Sequence, residues 1–256
     1  MGKKQIEKKR KKPYIKKYKA VMDFDVWFVD GNYVRKKLNP NFCNFAHHYS
    51  KDDTIENKAW RSFKFIPKNE FWIDFIGRKS GEEDFFIEHM IIENRLMASG
   101  IGSSKAYDYA AYAQEVEREK SKFYIKYKKL KRAPKKLIKK IHKKLFREWS
   151  TKKLRVWLVN GEVVRNYVFI PFTAGGHDLV YKFIPRGEVW IDDELIKKER
   201  IYTLIHELHE RHLMSRGVKY DPAHDVALVI ENFARKNPKK SENILGMEIK
   251  KQEEVS

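Results

Sequence analysis

The sequence predicts an α+β protein made of two tandem copies of a small module, each two β-hairpins followed by a helical hairpin. An ordered internal repeat is the first observation behind this. Val26-Trp27-Phe28-Val29-Asp30-Gly31 recurs as Val156-Trp157-Leu158-Val159-Asn160-Gly161, Phe65-Ile66-Pro67 as Phe183-Ile184-Pro185, and Glu70-Phe71-Trp72-Ile73-Asp74 as Glu188-Val189-Trp190-Ile191-Asp192. The second is an Asp-Gly or Asn-Gly pair set among β-branched and aromatic residues, a hairpin-turn signal. The third is a pair of apolar-periodic segments that end on Gly100 and Gly217, where a helix terminus favours positive φ.

Each copy then reads in order. A first hairpin turns at Asp30-Gly31 or Asn160-Gly161, and a second at Pro67-Lys68-Asn69 or Pro185-Arg186-Gly187. A long helix spans roughly 82–99 or 194–215, and a second helix follows, capped in the second copy by Asp221 with Pro222 at its first position. The repeat offset drops from 130 to about 117, so the first copy carries extra residues between its hairpins. The expected organisation is a basic tail at 1–20, a degenerate first repeat at 21–118 and a basic connector at 119–153. A second repeat with the candidate metal site follows at 154–237, and a polar tail at 238–256. Pro134 to Trp149 carries Leu137, Ile138, Ile141, Leu145 and Trp149 at helical spacing, so the connector reads as one amphipathic helix.

The chain has 256 residues and a formal net charge of +20, concentrated in two blocks. Residues 1–20 carry +9 and residues 119–155 carry +15, which leaves −4 for the remainder. Such blocks attract polyanions, and nucleic acid is the expected partner. The candidate contacts are Lys8, Lys9, Arg10, Lys11, Lys12, Lys128, Lys129, Lys131, Arg132, Lys135, Lys136, Lys139, Lys140, Lys143 and Lys144. Tyr14, Tyr18, Phe123, Tyr124 and Tyr127 lie among them as rings for base stacking, while a solvated lysine-rich linker is the plainer reading. A single cysteine excludes a disulfide framework and a cysteine-based zinc finger. The chain has no apolar run of membrane-spanning length and no secretory leader, so it reads as cytoplasmic. Abundant Lys and Glu with three Gln lean toward a thermophile.

The chemistry concentrates in Leu204-Ile205-His206-Glu207-Leu208-His209-Glu210-Arg211-His212. Ile201, Leu204, Ile205 and Leu208 form a stripe toward the sheet, and His206 and Glu210, four apart, share the opposite face. In an antiparallel helix pair, His224 and Glu231 reach that face from the second helix. His206, Glu210, His224 and Glu231 then form a set suited to zinc or another divalent metal. The first copy keeps His89 and Glu93 but has Met90 for Glu207, Tyr107 for His224 and Gln114 for Glu231. Structural His–Glu pairs in both copies explain the same residues equally simply. His177, which follows Gly175-Gly176 and matches His47, reads as a turn hydrogen-bonding residue, with a loop ligand or a close backbone approach as the alternatives; His47-His48 reads as a pair by proximity, Glu70 and Glu188 as solvated strand ends, and Trp72 and Trp190 as core.

Val189-Trp190-Ile191-Asp192 through Leu213 resembles the strand-then-helix entry of minimal zincin metallopeptidases of the ImmA/IrrE type, with HExxE in place of HExxH. The resemblance spans about 25 residues. It implies His206 and Glu210 as ligands, His224 or Glu231 as the third, and Glu207 as general base. The module is also similar to modules of uncharacterised phage and archaeal mobile-element proteins, which implies no activity. Two functions follow. One is a nucleic-acid-associated protein on a duplicated zincin-like scaffold; the other is a metal-dependent, peptidase-like hydrolase with its site in the second repeat.

Overall fold

The computed structural model describes residues 12–48, 62–75, 81–129 and 134–255. The first module runs β1 (Tyr14–Val21), β2 (Phe24–Val29), α1 (Gly31–Lys37), β3 (Phe45–His48), β4 (Ser62–Phe63), β5 (Glu70–Asp74), α2 (Glu83–Ala98) and α3 (Ser103–Lys120). After α4 (Lys122–Tyr127) and α5 (Pro134–Ile141), the second runs β6 (His142–Leu145), β7 (Arg155–Val159), α6 (Gly161–Tyr167), β8 (Gly175–His177), β9 (Glu188–Asp192), α7 (Lys197–Ser215) and α8 (Tyr220–Lys236). Then α9 (Ser241–Lys251) packs on α7.

The two mixed sheets share one strand order. It is β1-β2-β5-β3-β4 in the first module and β6-β7-β9-β8 in the second. In each, the central pair is parallel (β2 with β5, β7 with β9) and the strand on either side of it is antiparallel, while the additional β4 of the first sheet runs parallel to β3. Val26 and Val156, at equivalent positions, are fully buried beneath the helices. The Ile201, Leu204, Ile205 and Leu208 stripe packs on Val156, Val189 and Ile191 as expected, each fully buried side chain contributing about 1.5–3 kcal/mol.

The expected hairpins at Asp30-Gly31 and Asn160-Gly161 do not form. Asp30 Oδ1 and Asn160 Oδ1 instead accept from the backbone of Tyr33 and Val163, both at 3.0 Å, and cap α1 and α6. Glycine is required there by a close approach. A Cβ on Gly31 would lie 2.0 Å from Asp74 Oδ2, and one on Gly161 would lie 2.2 Å from Asp192 Oδ2. The second expected hairpin forms in the second copy, where Pro185-Arg186-Gly187 ends the connection between the antiparallel β8 and β9; in the first copy β4 intervenes between β3 and β5. The hairpins not expected are β1–β2 and β6–β7, whose first strands come from residues read as tail and connector.

The single helix expected over Pro134–Trp149 stops at Ile141. β6 satisfies the open edge of β7, and the His142 ring stacks on Trp157 at 4.1 Å. Helix α8 starts at Tyr220, so Asp221 and Pro222 sit inside its first turn, where an acid favours the helix dipole and proline is tolerated. Gly100 and Gly217 take the expected positive φ, 94° and 87°. Glu70 and Glu188 are buried acceptors, each 2.9 Å from the indole N–H of Trp72 or Trp190.

Reciprocal charge clamps join the modules. Arg165 donates to both oxygens of Glu82 (2.9 and 3.0 Å), which Arg118 holds from the other side at 2.6 Å. The equivalent residues repeat the arrangement in the opposite sense. Arg35 lies 3.1 Å and Arg235 2.5 Å from Glu199. Each crossing arginine also binds the aspartate of its own module, Arg35 to Asp74 at 2.8 Å and Arg165 to Asp192 at 2.5 Å, and reaches the carbonyl of Phe42 or Phe172 at 3.3 Å. Burial opposes the charge on Glu82, but the two guanidiniums outweigh it and hold the carboxyl at about 2. The contact is self-complementary, the pattern of an isologous dimer interface within one chain.

Candidate metal centre

The centre lies where α7, α8 and the edge strand β8 meet. His206 Nε2 is 3.1 Å from His224 Nδ1 and 3.4 Å from Glu210 Oε2, and His224 Nδ1 is 2.8 Å from Glu210 Oε2. Three ligand atoms of three side chains therefore converge. A tetrahedral ion with bonds of about 2.1 Å has ligand separations of about 3.4 Å, so the set fits zinc chemistry. Two imidazoles and one carboxylate are also the donor types such an ion takes.

The surrounding groups orient that set. Glu231 Oε2 sits 3.0 Å from the outer nitrogen, Nδ1, of His206, and Glu231 Oε1 is held by Arg235 at 2.5 Å. The sequence reading counted Glu231 among the ligands. The structure places it behind His206, where its carboxylate faces Nδ1 and favours that nitrogen for the proton of a neutral ring, with Nε2 turned to His224 and Glu210. On the other side, His177 Nδ1 accepts from Leu179 N (3.3 Å), so its Nε2–H donates to Glu210 Oε1 at 2.9 Å. His177 is thus part of the centre and no mere turn residue. Its repetition as His47, with Nε2 3.3 Å from Glu93, was the available signal.

Electrostatics follow this geometry. Burial alone would raise Glu210, but hydrogen bonds with His177, His206 and His224 pull it far below the carboxylate range. Burial would lower His206, yet Glu210 and Glu231 raise it well above an ordinary imidazole. Glu207 also borders the cleft, grouped with Glu210 and His177, and burial followed by the Glu210 charge raises it to about 8. Burial lowers His177, consistent with a neutral ring.

The first module holds the same positions differently. His47 and His89 approach Glu93 at 3.3 and 3.5 Å, and Glu93 is held at about 2 because those two histidines outweigh burial. At the place of Glu231, the Gln114 amide lies 3.0 Å from His89 Nδ1; because Arg118, which can only donate, faces the amide's other end at 2.8 Å, the oxygen belongs toward Arg118 and the nitrogen toward His89. A donor at Nδ1 moves the His89 proton to Nε2, the nitrogen that faces Glu93.

The basic residues stand apart from this centre. Lys8, Lys9, Arg10, Lys11, Lys131 and Arg132 lie outside the described residues. Lys12 pairs with Asp30 at 2.9 Å and Lys143 with Asp193 at 2.5 Å. Lys128, Lys129, Lys135, Lys136, Lys139, Lys140 and Lys144 are exposed. Strand β6 is the opposite edge of the sheet from β8. Four of the five rings expected to stack on bases are engaged in packing: Tyr14 against Trp27 and Trp72, Tyr18 against Phe28, Tyr124 against Tyr167, and Phe123 against the second module's core. No helix among the described residues is long and apolar enough to cross a membrane. Compared with known proteins, the chain matches no family model, no curated protein and no solved structure.

Proposed function

We propose that the second module holds a divalent first-row metal ion, zinc foremost, and serves as a metal-dependent hydrolase on a zincin-like scaffold. The observation that carries this is the convergence of His206 Nε2, His224 Nδ1 and Glu210 Oε2 within 2.8–3.4 Å of one another, with Glu231 and His177 fixing the outer atoms. His206, Glu210 and His224 are the ligands. When bound, the ion supplies Lewis acidity and a more acidic water. Glu207 is the neighbouring carboxylate that takes up and returns the proton. Glu231 fixes the His206 tautomer, and His177 fixes the Glu210 carboxylate. The test is metal content of the full chain purified without chelator, followed by Zn2+ and Co2+ titration. Stoichiometric metal is expected. A chain that takes up neither ion while remaining folded overturns the proposal.

A second reading rests on the exposed lysines of α5 and the adjoining β6. Leu137 and Ile141 are buried beneath α5, so Lys135, Lys136, Lys139 and Lys140 face solvent on a supported helix. We propose that this face binds a nucleic-acid backbone. Replacing these four lysines with glutamate is expected to abolish binding to single- and double-stranded probes and to flatten its salt dependence. An unchanged salt slope overturns this second reading.

A further inference from the structure

The cleft over the metal centre is built by both modules. It has a volume of about 140 Å³, and its floor is formed by His206, Glu207, Glu210 and His224 of the second module. Its opposite wall is the first-module segment Pro40–Asn44, with Phe42 and Cys43 on it. Arg35 pins this segment by reaching the Phe42 carbonyl (3.3 Å) and, across the module boundary, Glu199 (3.1 Å).

The corresponding space in the first module is filled. Strand register places Gly175 at the position of Phe45, since Gly175 pairs with Ile191 and Phe45 with Ile73. The helix repeat places Thr203 at the position of Phe86. Phe45 and Phe86 stack at 4.6 Å and are buried, and Phe45 lies edge-on to His89 at 5.4 Å. Glycine and threonine stand there in the second module, and the Glu207 carboxylate takes part of the space the two rings fill in the first. The glycine is demanded there, because a Cβ would come within 2.9 Å of Trp190 O and 3.2 Å of Glu207 Oε1.

The chemistry of the cleft selects its occupant. Its cations, Arg35 and Arg235, are already paired with Asp74, Glu199 and Glu231. Phe42, Val180, Tyr181 and Leu228 give it apolar walls. On its apolar side the free volume, about 140 Å³, is that of a benzene-sized group.

We infer that the first module completes the second module's site by walling an apolar subsite, which accepts a neutral side chain about the size of a benzene ring. The inference deepens the hydrolase reading, and the test separates the two. Cys43 is the chain's single cysteine, so its alkylation reports on this wall alone. The rate of Cys43 alkylation by N-ethylmaleimide is followed by mass spectrometry in the full chain, metal-free and Co2+-loaded, with phenylacetamide or acetamide present. Phenylacetamide is expected to slow alkylation at least about fivefold in both forms, while acetamide has no effect. Thr203→Phe, which restores the first-module residue, is expected to remove the protection. Absence of phenylacetamide protection in the wild-type chain overturns the inference, as does protection that acetamide gives equally. Protection in a chain that takes up no Co2+ supports the subsite while ending the metal reading.

Discussion

The two modules keep the same strand order and helix pair, yet they treat one histidine in opposite ways. In the second module Glu231 stands behind His206 as an acceptor. In the first, Gln114 stands behind His89 as a donor. The exchange of a carboxylate for an amide removes a negative charge behind the ring and reverses which ring nitrogen the neighbour favours for the proton. Tyr107 stands where the second module has His224, and Phe45 with Phe86 stands where it has Gly175, Thr203 and the Glu207 carboxylate beside them. The comparison teaches that a metal-competent cluster and a packed polar cluster can share a backbone. A few side chains decide between them through proton position and free volume.

The strongest way to break this comparison is to remove the inner histidine from each copy. His206→Ala is expected to eliminate stoichiometric metal, whereas His89→Ala leaves metal content unchanged, both read by elemental analysis. Equal losses would show that the asymmetry is wrong.

The clamps test where the copies are equivalent. Glu82→Gln leaves Arg165 and Arg118 without their shared carboxylate and is expected to cost about 3–5 kcal/mol in denaturant unfolding. Glu199→Gln is expected to cost a similar amount through Arg35 and Arg235. Because the folded Glu82 carboxyl is held at about 2, below its ordinary 4.5, its stabilisation is present above about pH 4.5 and is lost as pH falls toward 2. The acid limb of the stability curve should therefore be shallower in Glu82→Gln than in wild type.

A finer test makes the second module imitate the first. Glu231→Gln is expected to lower metal affinity by about 10- to 100-fold while retaining the fold, measured by competition with a chromophoric chelator. An unchanged affinity would remove Glu231 from its orienting role. The smallest effect concerns what the copies share. Gly100→Ala and Gly217→Ala place a side chain at positive φ in otherwise open space, and each is expected to cost about 1 kcal/mol in thermal unfolding.

Much of this was legible along the chain. The repeat exposed both modules, the 3.6-residue period located α2 and α7, and the i, i+4 spacing put His206 and Glu210 on a face opposite the apolar stripe. The first hairpins were misread because Asp-Gly and Asn-Gly serve equally as a two-residue turn and as a helix cap followed by a residue with no room for Cβ. What excludes Cβ is Asp74 or Asp192, distant in sequence. His177 was noticed but read only for its local turn bond, because its other partner, Glu210, lies 33 residues away. The clamps were present as recurring Arg35/Arg165 and Glu82/Glu199, but no local pattern says that an arginine crosses to the other copy.

The amino-acid order by itself determined the duplication, the helical faces, the positive-φ helix ends and the residue types able to hold a metal, because these depend on short-range periodicity and backbone sterics. Tertiary structure alone decided the parallel pairing of β2 with β5 and β7 with β9, the place of Glu231 behind His206, and the share of the first module in the second module's cleft. Each of those is fixed by burial and charge pairing between segments far apart in the chain, where the alternatives differ in packing and desolvation and not in local conformational preference.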